Sequence, residues 1–203
     1  LQYDFRQSVE VLLPFLDPTA TQSFDAIDDE GTLFKVNTSY EFTGSVTGYA
    51  TLSEGYRVGG ANSVTPCGMP ATGACGLANE ILIKPDTTTN LEVGVHSMFD
   101  DGALVLNAAL YRVDWNDMQT LGETVNGQLP ITVNAGEART QGVELMMQSR
   151  GERWSFMGSY AYNDAKLTAA AVGLVDGFVD GQAGDRLSGT PEHQRSEEHT
   201  SEL

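Results

Sequence analysis

The chain has 203 residues, of which 28 are aspartate or glutamate and 11 are lysine or arginine, giving a formal net charge of −17. This charge weighs against a nucleic-acid partner and against attraction of the whole chain to anionic lipid. No apolar run reaches the roughly 18 residues that a membrane-spanning helix needs. The 22 glycines, together with many Thr, Asn and Val residues, are typical of a turn-rich all-β protein.

The first 31 residues show little regular pattern beyond a strand-like start at 1–5. Residues 6–31 contain Pro14 and Pro18, which predict a long loop. Four acids cluster in this segment: Asp25, Asp28, Asp29 and Glu30. Their spacing matches no calcium-loop template, so a solvated acidic loop is a better interpretation than a cation site.

Alternation of apolar and polar side chains begins at Leu33 and continues to Phe42. A period of two is expected where the two faces of a strand meet different media. The apolar face carries Phe34, Val36, Tyr40 and Phe42. A short turn at 43–45 and a partner strand from Val46 to Tyr56 complete the first predicted hairpin.

Residues 57–86 interrupt the strand pattern with a Gly-Gly pair, three prolines and both cysteines of the chain. Such a composition is incompatible with paired strands and predicts a long loop. Cys67 and Cys75 could form a metal site, a redox pair or a disulfide. Without a second cysteine pair or a nearby histidine the disulfide is favoured, which implies an oxidising compartment outside the cytoplasm.

The most regular stretch of the chain runs from Lys84 to Trp115 and predicts two long strands. In its first half the apolar positions are Leu91, Val93, Val95 and Phe99. The intervening residues Asn90, Glu92, Gly94 and His96 form the other face. Asp100, Asp101 and Gly102 tolerate the left-handed conformation of a tight turn, so the two strands are expected to lie side by side and antiparallel.

A third hairpin follows a second long segment at 116–139. Its predicted strands are 141–149 and 154–164, joined by a turn at 150–153. The second of these strands carries four large aromatic residues: Trp154, Phe156, Tyr160 and Tyr162. Residues 165–189, which are rich in Gly and Asp, predict a third long loop.

Short and long connections therefore alternate along the chain. The short ones are 43–45, 100–102 and 150–153, and the long ones are 57–86, 116–139 and 165–189. Outer-membrane barrels sort their connections in this way, and their lipid interfaces carry aromatic girdles. We predict an all-β, antiparallel up-and-down meander that is part of a large transmembrane β-barrel, with a secreted β-sandwich as the alternative. About six full strands cannot close such a wall, so an open curved sheet is expected.

The C-terminal residues are a special case. Residues 190–194 would begin a further strand, but RSEEHTSEL at 195–203 resembles the translated start of a widely used sequencing adapter. We therefore expect 195–203 to be a non-native tail and the natural protein to continue beyond Gln194. The domain prediction is a partial barrel at 1–194.

Six stretches together resemble the TonB-dependent outer-membrane receptors, in the C-terminal part of their barrel domain. They are YATLSEGYRVGGAN (49–62), KPDTTTNLEVGV (84–95), DDGALVLNAALYRVDWNDMQ (100–119), VNAGEARTQGVELMMQ (133–148), YAYNDAKLT (160–168) and GDRLSGTPEHQ (184–194). The resemblance implies a 22-stranded barrel around a plug domain, in contact with outer-membrane lipid of a Gram-negative bacterium. It also implies active import of a scarce nutrient, most commonly a ferric siderophore. A TonB-type energy-coupling complex would act through a plug region that this sequence does not contain, so the function belongs to a longer parent protein.

By the same resemblance, ligand contacts are expected on the extracellular connections and on the plug. The candidate substrate-binding residues are Tyr56, Arg57, Asn62 and Trp115. Tyr and Trp at strand ends are more often interface anchors, which is the other interpretation of these residues. Inward polar residues are expected to line the lumen: Glu41, Asn90, Glu92, Asn107, Glu144 and Asn163. We expect no catalytic residue, metal site or cofactor.

Three other functions compete with the receptor. An enzyme is poorly supported, because His96 and His193 are the only histidines before the tail and no nucleophile elbow, HExxH motif or phosphate-binding glycine loop occurs. A passive porin differs from a receptor by the lack of a plug. A soluble secreted binding protein remains as the third alternative.

Overall fold

The computed structural model describes residues 2–12, 21–68, 73–171 and 181–201. Pro14 and Pro18 of the predicted first loop, and part of the third long loop, lie outside these ranges. The strands in chain order are β1 (Gln2–Leu12), β2 (Thr21–Thr32), β3 (Lys35–Thr43), β4 (Val46–Arg57), β5 (Gly60–Ala61), β6 (Leu82–Ile83), β7 (Asp86–Phe99), β8 (Leu104–Asn116), β9 (Gln119–Glu123), β10 (Pro130–Asn134), β11 (Glu137–Arg150), β12 (Trp154–Ala169) and β13 (His193–Ser201). One short helix, α1 (Ala78–Ile81), precedes β6. No helix among the described residues is long and apolar enough to span a membrane.

Seven of these strands form one antiparallel sheet in the order β13-β12-β11-β8-β7-β4-β3. Each of the three predicted hairpins is present. The seven strands follow one another in the sheet in the same order as in the chain, because the short strands β5, β6, β9 and β10 pair separately. The prediction of an all-β, antiparallel meander is therefore confirmed. The sheet is open, with β3 at one edge and β13 at the other.

The predicted long loop at 6–31 is wrong. Strands β1 and β2 occupy most of this segment and pair antiparallel, with Gln2 opposite Thr32 and Leu12 opposite Thr21. The acidic cluster predicted as a loop lies within β2, where Arg6 of β1 stands opposite Asp28. Charge content misled the prediction, because a barrel strand needs backbone pairing and tolerates polar residues wherever its surroundings are aqueous.

Tight turns close the hairpins at the predicted positions. Gly44 and Ser45 join β3 to β4, a single 3-10 turn at Asp100–Gly102 joins β7 to β8, and 151–153 join β11 to β12. Asp100 and Asp101 have φ of 51° and 50°, in the left-handed region that short polar side chains tolerate. The strands on either side are longer than predicted, since β11 begins at Glu137 and β12 extends to Ala169.

The strand register divides the side chains of the sheet into two faces. Val93, Leu110, Val143 and Tyr162 stand opposite one another on β7, β8, β11 and β12, and so share one face. Glu92, Tyr111, Gly142 and Asn163 form the adjacent row on the other face. We call the first the outer face and the second the inner face.

Large apolar side chains on the outer face are open to the surroundings. Tyr40 is 68% exposed and Trp154 is 61% exposed, and Leu91, Val93, Leu110 and Leu145 are also exposed. A water-soluble sheet would bury such a face, whereas a sheet whose outer face contacts hydrocarbon leaves it uncovered by protein. The exposed apolar rows therefore agree with the predicted barrel wall.

Candidate functional site at the long-connection end

The long connections are folded, although their composition predicted irregular loops. Residues 58–68 and 73–85 of the first connection pack against residues 117–136 of the second, which contain the β9–β10 hairpin. We call these three segments the cap. Val64, Ile81 and Ile131 form a small core within the cap.

A second apolar cluster joins the cap to the inner face of the sheet. Its buried members are Met118, Ala135, Ala138, Leu167 and Ala171, with Trp115, Val133 and Leu187 packed against them. Trp115, Ala138 and Leu167 follow one another across β8, β11 and β12 on the inner face. The cap therefore covers the inner face at the end of the sheet opposite the short turns, and we call this end the mouth.

Asp86 is the centre of the junction between cap and sheet. Its carboxylate is only 3% exposed and accepts hydrogen bonds from Trp115 Nε1 at 2.9 Å and from the backbone N–H of Gln119 at 3.1 Å. Arg57 donates to the same carboxylate from Nε at 3.1 Å and also from Nη2. A buried carboxylate is tolerable when its lone pairs are filled by donors and a cation lies beside it, and Asp86 meets both conditions.

Two of the candidate substrate residues, Arg57 and Trp115, thus meet at Asp86. The guanidinium carbon of Arg57 lies 5.5 Å from the centre of the Trp115 ring, within range of a cation–π interaction. Arg57 Nη2 also donates to the backbone carbonyl of Gln119 at 3.0 Å. The Arg57 side chain remains 49% exposed, so the structure leaves about half of it open at the mouth.

Sequence reasoning missed Asp86 itself. The residue follows Pro85 and opens β7 directly opposite Arg57, the last residue of β4. Arg57 and Asp86 both fall within the predicted long loop at 57–86, one at each end of it. An arginine and an aspartate at the two ends of one connection were the available signal for a closing charge pair.

Gln119, also missed, connects the two halves of the cap. Its side-chain Nε2 donates to the carbonyls of Val58 and Lys84, both at 3.0 Å. These carbonyls lie at the two ends of the first long connection. One side chain from β9 therefore holds both ends of that connection to the second one.

Asn62, the third candidate, lies inside the cap and is 9% exposed. Its Nδ2 donates to the carbonyls of Glu80 and Thr132 at 2.8 and 2.7 Å, and its Oδ1 accepts from Thr132 N at 2.8 Å. The side-chain amide thus pairs with the edge of β10 as a neighbouring peptide group would. This placement favours a bracing role over direct contact with a substrate.

Asn134, at the end of β10, makes hydrogen bonds of the same kind. Its Oδ1 accepts from Lys84 N at 2.7 Å, and its Nδ2 donates to the carbonyls of Lys84 and Asp117, both at 2.8 Å. Side-chain amides thereby satisfy backbone groups that a regular strand would otherwise pair.

Cys67 and Cys75 are joined by a disulfide, with Cα atoms 5.0 Å apart. The closed loop is attached to the tip of the β9–β10 hairpin, because Cys75 N donates to Asn126 O at 2.8 Å. Glu80 adds a second attachment: its Oε1 accepts from Val125 N at 2.8 Å, while its Oε2 accepts from Leu77 N at 2.6 Å. The disulfide is therefore part of the cap rather than of the sheet.

Tyr56, the fourth candidate, is separated from the others. It stands opposite Thr87 on the β4–β7 ladder, one residue from Arg57, and so belongs to the outer face. A tyrosine at a strand end on the lipid-facing side fits the interpretation of an interface anchor.

Farther from the mouth, the inner face carries a polar cluster. Tyr49 donates its hydroxyl to Glu92 Oε1 at 2.6 Å, and its ring stacks on His96 with centroids 4.8 Å apart. Across the part of the chain that the structure describes, no three His, Cys, Asp or Glu side chains are grouped closely enough to hold a metal ion.

Comparisons with known proteins agree with this architecture. The family described as TonB dependent receptor-like, beta-barrel matches residues 4–196. A ferrioxamine receptor of Yersinia enterocolitica is 29% identical over 137 residues, which cover 66% of this chain and 16% of that receptor. The chain thus spans about a sixth of the length of this curated relative.

Solved structures show the same fold at low identity. The ferric yersiniabactin uptake receptor FyuA of Yersinia pestis aligns with a TM-score of 0.67 and 19% identity, covering 97% of this chain and 27% of that one. The siderophore receptor PiuA of Acinetobacter baumannii aligns with a TM-score of 0.65 and 18% identity, covering 98% and 27%. Both alignments place the chain on about a quarter of a complete receptor.

Proposed function

Since the chain belongs to the TonB-dependent receptor β-barrel family, whose members lie in the outer membrane of Gram-negative bacteria, we propose that it forms part of the wall and mouth of an active-transport receptor for a ferric siderophore. The observation that carries the proposal is the cap, which is anchored at Asp86 and folded over the inner face where a substrate enters. The ligand class comes from the relatives, which include receptors for ferrioxamine and ferric yersiniabactin.

We further propose that the chain is one segment of a longer receptor. Residues 1–194 would be a partial barrel and 195–203 a non-native tail. The share of the relatives that is covered supports a longer receptor. The family match ends at residue 196, two residues into the proposed tail, and the structure pairs residues 193–201 with β12. Energy would come from a TonB-type complex acting through a plug domain, and no enzymatic step is assigned to this segment.

Within the mouth, Arg57 and Trp115 are the proposed substrate contacts. Asp86 and Gln119 fix the Arg57 guanidinium, so a ligand would meet an ordered cation beside an aromatic ring. A pre-ordered cation loses little side-chain entropy on binding an anionic group. Tyr56 and Asn62 were predicted with them, and their positions fit an interface anchor and a cap brace.

The complete receptor can be tested in a host strain that has no ferric siderophore uptake of its own. We expect saturable uptake of at least one radiolabelled ferric siderophore, and its loss when the TonB protein is deleted or the proton gradient is collapsed. Uptake that persists without TonB would indicate the passive porin instead. Absence of uptake across hydroxamate, catecholate and carboxylate siderophores would overturn the siderophore proposal.

Substituting Arg57 tests the contact. Arg57→Lys keeps the charge but loses the bidentate geometry, and we expect affinity for the transported siderophore to fall by about tenfold. Lys35→Gln, which removes a cation at the far edge of the sheet, is the control. Unchanged affinity in both Arg57→Lys and Trp115→Phe would remove these residues from the site.

A further inference from the structure

The cap hairpin β9–β10 has two backbone edges, and the edge on the β10 side is covered by the first long connection. Thr132 of β10 points its peptide groups away from β9, because its N–H donates to Asn62 Oδ1 and its carbonyl accepts from Asn62 Nδ2. At the hairpin tip, Glu80 Oε1 accepts from the backbone N–H of Val125. The first connection therefore follows the β10 edge from its middle to the tip.

The same register defines the outer edge of β9. Leu121 stands opposite Thr132. Opposed residues of an antiparallel pair point their peptide groups either toward each other or away from each other, so the N–H and C=O of Leu121 point away from β10. Gln119 and Glu123, two residues before and after, point the same way. Pro130 stands opposite Glu123 and fits this pattern, because a strand tolerates proline where the missing N–H would not face the partner.

Side chains of the sheet cover the β9 edge at its first position, Gln119. Its N–H donates to Asp86 Oδ2 at 3.1 Å and its carbonyl accepts from Arg57 Nη2 at 3.0 Å, as the peptide groups of a neighbouring strand would. Leu121 and Glu123 lie about 7 and 14 Å farther along the strand. Within the described part of the chain, the outward N–H and C=O groups of these two residues make no hydrogen bond. Leu121 is also 72% exposed.

Folded proteins normally protect an exposed strand edge. They place lysine or proline on it, interrupt it with a bulge, or cover it with another segment. Strand β9 has the sequence QTLGE, without lysine or proline, and its register with β10 is continuous. We therefore expect another part of the complete protein to cover this edge.

The position of the β9 edge restricts what can cover it. The cap lies over the inner face of the sheet, so its hairpin is on the lumen side of the wall. A second copy of the receptor could reach this edge only by entering the lumen. The chain covers 27% of the FyuA structure, so most of a receptor of that size lies outside this segment. Outer-membrane barrels carry their long connections at one end, and those of the remaining wall would surround the same mouth.

We propose that the β9 edge is the docking site for one extended segment from another long connection of the same receptor, which joins the cap as a strand beside β9. Leu121 and Glu123 each provide one backbone donor and one backbone acceptor. Strand addition takes its affinity from main-chain hydrogen bonds and its specificity from the neighbouring side chains. An apolar side chain fits beside Leu121, and a basic one fits beside Glu123. The proposal rests on the chain being one segment of a longer receptor and not on the siderophore.

Hydrogen exchange resolved to single amides tests the pairing in the complete receptor, held in detergent without siderophore. We expect the amides of Leu121 and Glu123 to exchange at least about 100-fold more slowly than unprotected amides, as hydrogen-bonded strand amides do. The amides of Thr120 and Gly122 point toward β10 and report whether the hairpin is folded. Exchange of Leu121 and Glu123 at the unprotected rate would overturn the proposal.

A proline variant removes one donor from the edge. Leu121→Pro deletes an N–H that β10 does not use, so Thr120 and Gly122 should stay protected. We expect faster exchange in one other long connection of the receptor, which identifies the docked segment. Leu121→Ala keeps the N–H and should release that segment less. If no other connection exchanged faster in Leu121→Pro, or if Leu121→Ala had the same effect, strand pairing at this edge would be wrong.

Crosslinking identifies the occupant without disturbing the backbone. A photoreactive amino acid introduced at position 121 of the complete receptor should crosslink within one polypeptide, to a long connection outside this segment. A crosslink to a second copy or to the plug domain, or no crosslink at all, would contradict the proposal. Siderophore uptake enters none of these measurements, so a receptor that transports no siderophore would still test the pairing.

Discussion

Arg57 and Asp86 stand opposite each other on the last rung of the β4–β7 ladder, at the point where the sheet meets the cap. Trp115 and the backbone of Gln119 complete the coordination of the Asp86 carboxylate. One buried acid thus connects three consecutive strands of the sheet to the first strand of the cap hairpin. The position of the cap over the mouth depends on this junction.

Replacing Asp86 should loosen the cap without unfolding the sheet. In Asp86→Asn the amide oxygen can replace Oδ2, which accepts from Trp115 and Gln119, but the NH2 group then faces the Arg57 Nε donor and the negative charge beside the guanidinium is lost. We expect the cap to lose about 1–3 kcal/mol of local stability. Hydrogen exchange of residues 117–136 in the complete receptor measures this loss. Asp101→Asn, in an exposed turn at the other end of the sheet, is the matched control. If hydrogen exchange of the cap were unchanged in Asp86→Asn, the apolar cluster around Met118 would be sufficient to hold the cap on the sheet.

Asn62 offers an isosteric test of the cap interior. Asn62→Asp replaces the Nδ2 donor with an oxygen that faces the carbonyls of Glu80 and Thr132. We expect faster exchange across β10 and a cost of about 1–3 kcal/mol in cap stability. The same change at Asn37, which is exposed on the edge strand β3 and bonds to Thr51, should have little effect. If Asn62→Asp weakened ligand binding but left the hydrogen exchange of the cap unchanged, Asn62 would instead contact the ligand directly.

The isolated chain should not fold in plain buffer. Strands β3 and β13 leave unpaired edges, and the outer face exposes large apolar residues to water. We expect aggregation after expression alone and recovery of β structure in detergent, followed by circular dichroism and size-exclusion chromatography. A monodisperse, folded monomer in buffer would argue against a membrane-facing surface.

The hairpins could be predicted because each is defined by local information. A period of two fixes the faces, and turn residues such as Asp100 and Asp101 fix the connection. The cap could not be predicted, because Asn62 and Thr132, or Glu80 and Val125, are far apart in sequence and meet only after the sheet has formed. The β1–β2 pair was missed because the acids between Asp25 and Glu30 resemble a loop when side-chain composition alone is considered.

The central claim is that alternate residues of the sheet face lipid. Nitroxide labels placed one at a time on Val93 and Leu106, with Glu92 and Asn107 as inner-face neighbours, test it most directly in the complete receptor reconstituted in bilayers. At Val93 and Leu106 we predict high collision rates with molecular oxygen and low rates with a water-soluble nickel complex. At Glu92 and Asn107 we predict the opposite balance, or low collision rates with both reagents. Labels at Val93 and Leu106 that oxygen cannot reach, or that the nickel complex reaches freely, would contradict the account.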